Sequence, residues 1–308
     1  MRLAYAHNGG RPFIALALPS SQGGGGRPAA DGKWLNWSLC MRENAARFTW
    51  LAACPDPTLV DWLRNTPEPV ASLKESLAYL TDTGCLEKYI VQGDLRLKAP
   101  IPNPTKIVAL GRNYAAHAAE FGNVVPEEPI YFAKAPSSII GPDEAIVYPS
   151  YVKRLDPEIE LAFVIGRRAR AVPEEHAMAM VAGYTVLNDV TARDMQKAAQ
   201  GKGCPWFASK SLDTFCPMGP HLVLTDEVSD PHALEMTLRV NGEVRQHATT
   251  GDLVVKIPQL ITYISRQMTL EPGDVIATGT PEGIGPVQRG DVLQCDISQV
   301  GTLRNPVL

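Results

Sequence analysis

Glu158-Ile159-Glu160-Leu161-Ala162-Phe163-Val164-Ile165 reads as a β-strand. Successive strand side chains point to opposite faces, so Ile159, Leu161, Phe163 and Ile165 share one apolar face. Glu158 and Glu160 share the other, with Cα atoms about 7 Å apart. Two meanings are open for the acidic pair. The commoner is the solvated face of a half-buried strand. The other is a pair of oxygen ligands for a hard cation such as Mg²⁺ or Mn²⁺. Carboxylates this close repel, so burying both requires a metal or a proton between them.

Around this strand, short apolar runs alternate with Gly/Pro turns: Lys106–Leu110, Gly183–Asn188, Met236–Val240, Val275–Thr278 and Val292–Ile297. Helical pieces are fewer, chiefly Tyr114–Glu120, Glu174–Met180 and Ile257–Gln267. Helices do not alternate regularly with strands, so the fold class is α+β and not doubly wound. No G-x-G-x-x-G opens a helix after a strand, which leaves a dinucleotide fold without support. Further upstream, Arg2–His7 and Phe13–Leu18 flank Asn8-Gly9-Gly10, a hairpin signal. Ser20 to Gly32 reads as a flexible loop. Val70, Leu73, Leu77 and Leu80 share a helical face, with Gly84 as a stop. The proline-rich run Lys98 to Pro104 reads as a stiff linker. It suggests a small N-terminal α/β domain over 1–100 and a larger one over 101–308.

Of the 308 residues, 45% are hydrophobic and 20% charged, the balance of an ordinary globular protein. The net charge of −4 argues against nucleic acid as the main partner, because phosphate binding needs a basic face. It leaves room for small anionic substrates, which need only local cations. Phe13–Leu18 is too short to span a membrane. The six cysteines form no C-x-x-C pair, which points to reduced thiols in a cytoplasmic protein rather than zinc or disulfides.

Four further elements can carry chemistry. Asp189 follows the apolar run Tyr184–Leu187, where it either N-caps a helix or adds a third carboxylate to Glu158 and Glu160. Arg193 and Gln196 would lie on that helix. Arg193 offers a bidentate fork to a carboxylate, or else a surface pair with Asp194. His117 and Glu120 stand three residues apart in an alanine-rich helix, as a surface contact or as a base for water. Lys210 is either solvated or placed to stabilise an enolate. Thr278-Gly279-Thr280-Pro281-Glu282-Gly283 is a plain turn, or a loop whose N–H groups and Thr280 hydroxyl bind a carboxylate.

Taken in order, Asn113-Tyr-x-x-His117-x-x-Glu120, Phe132-x-Lys134-x-Pro136, Glu158-x-Glu160-Leu161 and Asn188-Asp189-x-Thr-Ala-Arg193-Asp194-x-Gln196 resemble the fumarylacetoacetate hydrolase family. So do Lys210 to Pro220, Leu270 to Gly283 and the tail from Gly301 to Asn305. The likeness runs from about Lys106 to the end. It implies a mixed β-roll catalytic domain, usually a homodimer. It implies that Glu158, Glu160 and Asp189 hold Mg²⁺, Mn²⁺ or sometimes Ca²⁺. His117 and Glu120 become the water-activating pair, often on a lid. Lys210 becomes catalytic, and Arg193, Gln196 and Thr280 line the pocket for a small anionic 2-oxo acid. The family's fuller members carry another metal-binding acid just before the histidine segment. Ala109 to Asn113 has none, which favours the acylpyruvate hydrolase and oxaloacetate decarboxylase branch. Asp156-Pro157 replaces a more usual aromatic and is expected to be harmless. The expected activity is hydrolysis of a C–C bond in acylpyruvates through an enolate stabilised by the metal. Decarboxylation, 2-hydroxydienoate isomerisation and a catalytically silent binding protein are the alternatives.

Overall fold

The computed structural model describes residues 1–18, 33–45, 47, 57–66, 68–120, 122 and 124–308. The glycine-rich run expected as a loop, Ser20 to Gly32, lies outside them. The N-terminal hairpin is present: β1 (Arg2–His7) and β2 (Phe13–Ala17) pair antiparallel, Leu3 opposite Leu16 and Ala6 opposite Phe13. Its connection is longer than a two-residue turn, because Pro12 has no N–H to extend the ladder. β3 (Trp34–Asn36) follows, then α1 (Trp37–Glu43), α2 (Leu59–Asn65) and α3 (Pro69–Asp82). The expected stripe places Leu73 and Leu80 fully inside, each worth roughly 1.5–3 kcal/mol of burial. Gly84, at φ +66, stands two residues beyond the helix.

β4 (Arg96–Lys98) pairs with β1, and the proline run after it is mostly buried, with Ala99 and Ile101 in a core shared with both halves of the chain. Then come β5 (Ile107–Gly111), α4 (Ala115–Glu120), β6 (Ile130–Lys134), β7 (Ile139–Ile140), β8 (Leu155–Asp156) and β9 (Ile159–Ile165). After α5 (Glu174–Ala177) follow β10 (Val181–Asn188), β11 (Thr191–Ala192), α6 (Arg193–Gly201), α7 (Phe207–Lys210) and β12 (Cys216–Leu224). β13 (Glu235–Val240), β14 (Glu243–Thr249), α8 (Ile257–Gln267), β15 (Val275–Ala277), β16 (Val292–Ile297) and β17 (Gly301–Pro306) complete the chain.

The large mixed sheet runs β3-β2-β1-β12-β10-β9-β15-β5-β6, with β4 and β7 paired at its sides. A second sheet, β14-β13-β16-β17, packs beside it. The α+β expectation holds, and the sheet does not close into a barrel among the described residues. β1 pairs with β12, Arg2 opposite Val223, so the N-terminal strands extend the sheet that carries β9. No described helix is long and apolar enough to cross a membrane.

β9 is covered on both sides. Ile159, Leu161, Phe163 and Ile165 enter one core, while Ala162 and Val164 enter the other. That is why Glu158 and Glu160, on the Ala162 face, cannot be a solvated edge.

His221 on β12 is fully buried. Burial, helped by the nearby Arg2 charge, lowers its imidazole from 6.5 to about 3. The unfolded chain therefore takes up a proton below about pH 6.5 that the folded chain refuses until far lower. Its contribution to stability is complete above that value and is lost as pH falls towards 3. His221→Gln is expected to flatten part of this acid limb. Chemical denaturation at neutral and at about pH 4.5 measures it; an equal loss in both proteins refutes the assignment.

Candidate metal centre and active site

Strand register brings the acids together. β10 runs antiparallel to β9, with Leu187 opposite Glu160 and Asn188 opposite Ile159. One residue on, Asp189 donates its N–H to the Glu158 carbonyl at 2.8 Å. One carboxylate oxygen from each of Glu158, Glu160 and Asp189 falls within 4.8 Å of the others, and all three side chains are buried. Asp189 does not cap the helix after it: α6 begins behind Ala192, and both Asp189 oxygens bind lysines.

The backbone around the acids is pinned. Glu158 N–H donates to Asn188 Oδ1 at 2.8 Å, and Gly279 N–H donates to Glu160 Oε2 at 2.7 Å. Gly279 adopts φ +99, where a Cβ would also press on the Asn113 side chain at 3.1 Å. Glycine is what lets that loop turn its N–H towards Glu160. The loop thus spends one donor on the protein's own acid. Thr280 faces the cavity, its hydroxyl accepting from Gln246 Nε2 at 2.9 Å.

Three buried cations surround the acids. Lys134 Nζ lies 2.5 Å from Asp189 Oδ1. Lys210 Nζ bridges Glu158 Oε2 at 2.7 Å and Asp189 Oδ2 at 2.5 Å. Arg193 donates to Asp156 at 2.8 Å, to Gln196 Oε1 at 2.5 Å and to Glu158. It is no surface partner of Asp194. Asp156, also fully buried, takes Arg154 as well at 2.9 Å. Lys134, Asp156 and Gln246 are the site residues that sequence left without a role. Lys134 appeared only inside a family pattern, and Asp156 looked like a harmless replacement. Gln246, on a polar strand, gave no signal.

Burial opposes ionisation of Glu158, but the Lys210 and Arg193 charges hold its carboxyl well below the usual range. Glu160 goes the other way. Burial, then the Asp189 and Glu158 charges, push it well above the usual range. Burial lowers the His117 imidazole, which leaves it neutral and able to accept a proton at neutral pH.

His117 and Glu120 lie on α4, with Nδ1 and Oε2 3.4 Å apart. Asn113 anchors the start of this segment, donating to Thr278 O at 2.9 Å and Val255 O at 3.1 Å. Gly283 N–H reaches Glu120 Oε1 at 3.3 Å. Glu158, Glu160, His117, Lys210, Arg193, Gln196 and Thr280 all line one cavity of about 310 Å³. Asp189 does not line it but pairs with Lys210, which does. Phe132 and Trp206 form an apolar wall, their rings 5.4 Å apart. All nine residues singled out from sequence therefore converge on one place.

The fit to a divalent ion follows from the donor set. Three oxygen ligands of like charge, excluded from water, match Mg²⁺ or Mn²⁺ and not a soft metal. One of them, Glu160, has no ion pair among the described residues and accepts a backbone N–H from Gly279.

Comparisons with known proteins agree. The family model described as fumarylacetoacetate (FAA) hydrolase, C-terminal, matches residues 106–308. An uncharacterised protein of Pyrococcus abyssi is 53% identical over 205 residues, 67% of this chain and 91% of its own. A mitochondrial oxaloacetate tautomerase of Xenopus laevis is 42% identical over 260 residues, 82% of this chain and 80% of its own. Among solved structures, maleylpyruvate hydrolase from Sphingobium, in complex with manganese(II) and pyruvate, is similar with TM-score 0.75 and 31% identity. That likeness covers 100% of this chain and 99% of the other. Sequence motifs, sheet order and the buried acid triad thus lead to one conclusion: the chain belongs to the fumarylacetoacetate hydrolase family.

Proposed function

We propose that this protein is a divalent-metal enzyme that hydrolyses a C–C bond of acylpyruvate-type 2,4-dioxo acids. The observation that carries the proposal is the buried charge balance. Four buried carboxylates (Asp156, Glu158, Glu160 and Asp189) meet three buried cations (Lys134, Arg193 and Lys210). Arg154, at the edge of the cluster, pairs with Asp156 as well. Asp156, Glu158 and Asp189 thus each have a cation, whereas Glu160 has no ion pair among the described residues. A divalent cation would give Glu160 the partner it lacks, and the surplus positive charge it brings favours an anionic 2-oxo acid as ligand.

Glu158, Glu160 and Asp189 would hold the ion. Bound there, Mg²⁺ or Mn²⁺ would supply Lewis acidity to the 2-oxo acid end of the substrate. His117 takes a proton from water, and Glu120 orients the imidazole and stabilises its cation. The hydroxide adds to the distal carbonyl. As the C–C bond breaks, its electron pair leaves with the pyruvate half, which gains a proton at carbon. Lys210, kept protonated by Asp189 and Glu158, steadies the charge on that half. Arg193, Gln196 and Thr280 form the walls that orient the substrate.

A second possibility is proton transfer between the enol and keto forms of oxaloacetate, which needs the same residues but no water. The likeness to the Xenopus tautomerase supports it. Protein stripped with EDTA and then given Mn²⁺ or Mg²⁺ separates the two. Acetylpyruvate, oxaloacetate and a hydroxydienoate serve as substrates. Acetylpyruvate turnover restored by metal is the expected result. Full activity after EDTA treatment overturns the metal assignment, and tautomerisation without diketone cleavage replaces the hydrolase with the second reaction.

A further inference from the structure

β14 is the edge strand of the smaller sheet, and Gln246 is its single buried residue. An amide carried into a core costs free energy unless its polar atoms find partners. Gln246 finds three. Its Oε1 accepts the N–H of Ile159, the residue between Glu158 and Glu160, at 3.0 Å. Its Nε2 donates to the Pro281 carbonyl at 2.7 Å and to Thr280 Oγ1 at 2.9 Å. Backbone groups force this orientation of the amide. The Ile159 N–H can face only the oxygen, and the Pro281 carbonyl can face only the nitrogen.

That orientation sets the role of the Thr280 hydroxyl. Nε2 spends one of its two protons on Oγ1, so the hydroxyl is left with its own proton to give. It donates that proton to no acceptor among the described residues, and Thr280 lines the cavity. The loop carrying it is fixed close to the acids. Gly279, one residue back, donates its N–H to Glu160 Oε2 at 2.7 Å. Further along, Gly283 lies against β14 at φ +92, where a Cβ would strike the Arg245 carbonyl. The glycine lets the loop approach the strand, and Gln246 ties it there.

Resting on the assignment of the triad to the 2-oxo acid end, we propose that Gln246 is a positioning residue that makes Thr280 a dedicated hydrogen-bond donor to the substrate carboxylate. Thr280 touches the ligand, and Gln246 acts through it. The amide nitrogen on Oγ1 keeps the hydroxyl proton pointing away from β14. The Pro281 carbonyl, an acceptor in the adjoining residue, is engaged by the same amide and does not draw that proton back. The donor so prepared stands one residue from the loop's bond to Glu160, at the end of the cavity where the triad lies.

Oxalate, which does not react and has the shape of the pyruvate enolate, is the probe. Calorimetry measures its binding to the Mn²⁺-loaded protein, and the affinity for Mn²⁺ itself. Thr280→Val should weaken oxalate about 10- to 100-fold, the range for a hydrogen bond to a charged group, with Mn²⁺ affinity within about threefold. Thr280→Ser keeps the hydroxyl and should bind oxalate within about threefold of the wild type. Gln246→Glu puts an acceptor where the donor stood and draws the hydroxyl inwards. Gln246→Met removes the donor without adding charge, so either variant completes the comparison if the other fails to fold. Each should weaken oxalate about tenfold when Thr280 is present, and less than about threefold on a Thr280→Val background. Equal losses on the two backgrounds would mean that Gln246 only carries the loop or acts by charge, and they overturn the proposal. Unchanged oxalate affinity in Thr280→Val overturns it as well. In both cases Mn²⁺-dependent oxalate binding by the wild type leaves the 2-oxo acid assignment standing. If the wild type binds no oxalate in a Mn²⁺-dependent way, that assignment fails and the role of Gln246 fails with it.

Discussion

Glu160→Gln is expected to abolish Mn²⁺-dependent turnover while the metal-free protein melts no lower than the wild type. Glu160 is fully buried, has no ion pair among the described residues and is pushed towards its neutral form by burial and by Asp189. A glutamine keeps the shape and the Gly279 N–H acceptor while removing the negative charge. It also removes one of the three ligands. Wild-type protein at Mn²⁺ about a hundredfold above its Kd should gain about 2.7 kcal/mol of stability, and the variant should gain little at that concentration. The neighbouring acid behaves differently. Asp189→Ala strands the buried Lys134 and leaves Lys210 with Glu158 alone, and should cost about 3–5 kcal/mol before any metal is added. Calorimetric melting with EDTA and with Mn²⁺ reads both effects. A Glu160→Gln protein that keeps wild-type Mn²⁺ stabilisation and activity would remove the triad from the account.

His117→Ala should slow acetylpyruvate hydrolysis by about 10²–10⁴, the range for losing a general base. Mn²⁺ and oxalate affinities should stay at wild-type values, because the imidazole lies on α4 and not among the three carboxylates. His117 is neutral at neutral pH for a physical reason, its burial, so it can accept a proton without help from acid or alkali. Glu120→Gln should cause a smaller drop in the same direction, since it leaves the imidazole in place but takes away its counter-charge. If His117→Ala hydrolyses at the wild-type rate, the pair is only a surface contact. If it loses hydrolysis but retains oxaloacetate tautomerisation, the two chemistries use different proton carriers.

Local pattern made the long apolar elements readable. β16 and α8 fall where periodicity places them, as do the hairpin strands up to the residue where pairing ends. Elements with mixed polarity were harder. β14 reads as a polar run, yet it pairs along β13 and supplies Gln246. β12 is rich in Gly and Pro and was not foreseen as a strand, although it joins the N-terminal hairpin to β10 and is buried throughout. Asp156 is the sharpest case. Beside Pro157 it looked neutral in effect, but Arg193 and Arg154 both bind it, so it fixes the guanidinium that holds Glu158.

By itself the sequence determined the α+β class, the alternation of β9 and the set of polar residue types in family order that marks the site. These are properties of neighbours along the chain, where a period of two or a helical turn sets which side chains share a face. Whether Glu158 and Glu160 met water or a core was decided only by the tertiary structure. That outcome depends on what lies across the sheet: two cores packed on both faces of β9, Asp189 brought opposite by strand register, and lysines arriving from β6 and α7. Burial and charge pairing are sums over residues distant in sequence, so the same acidic pair takes opposite meanings until the chain closes around it.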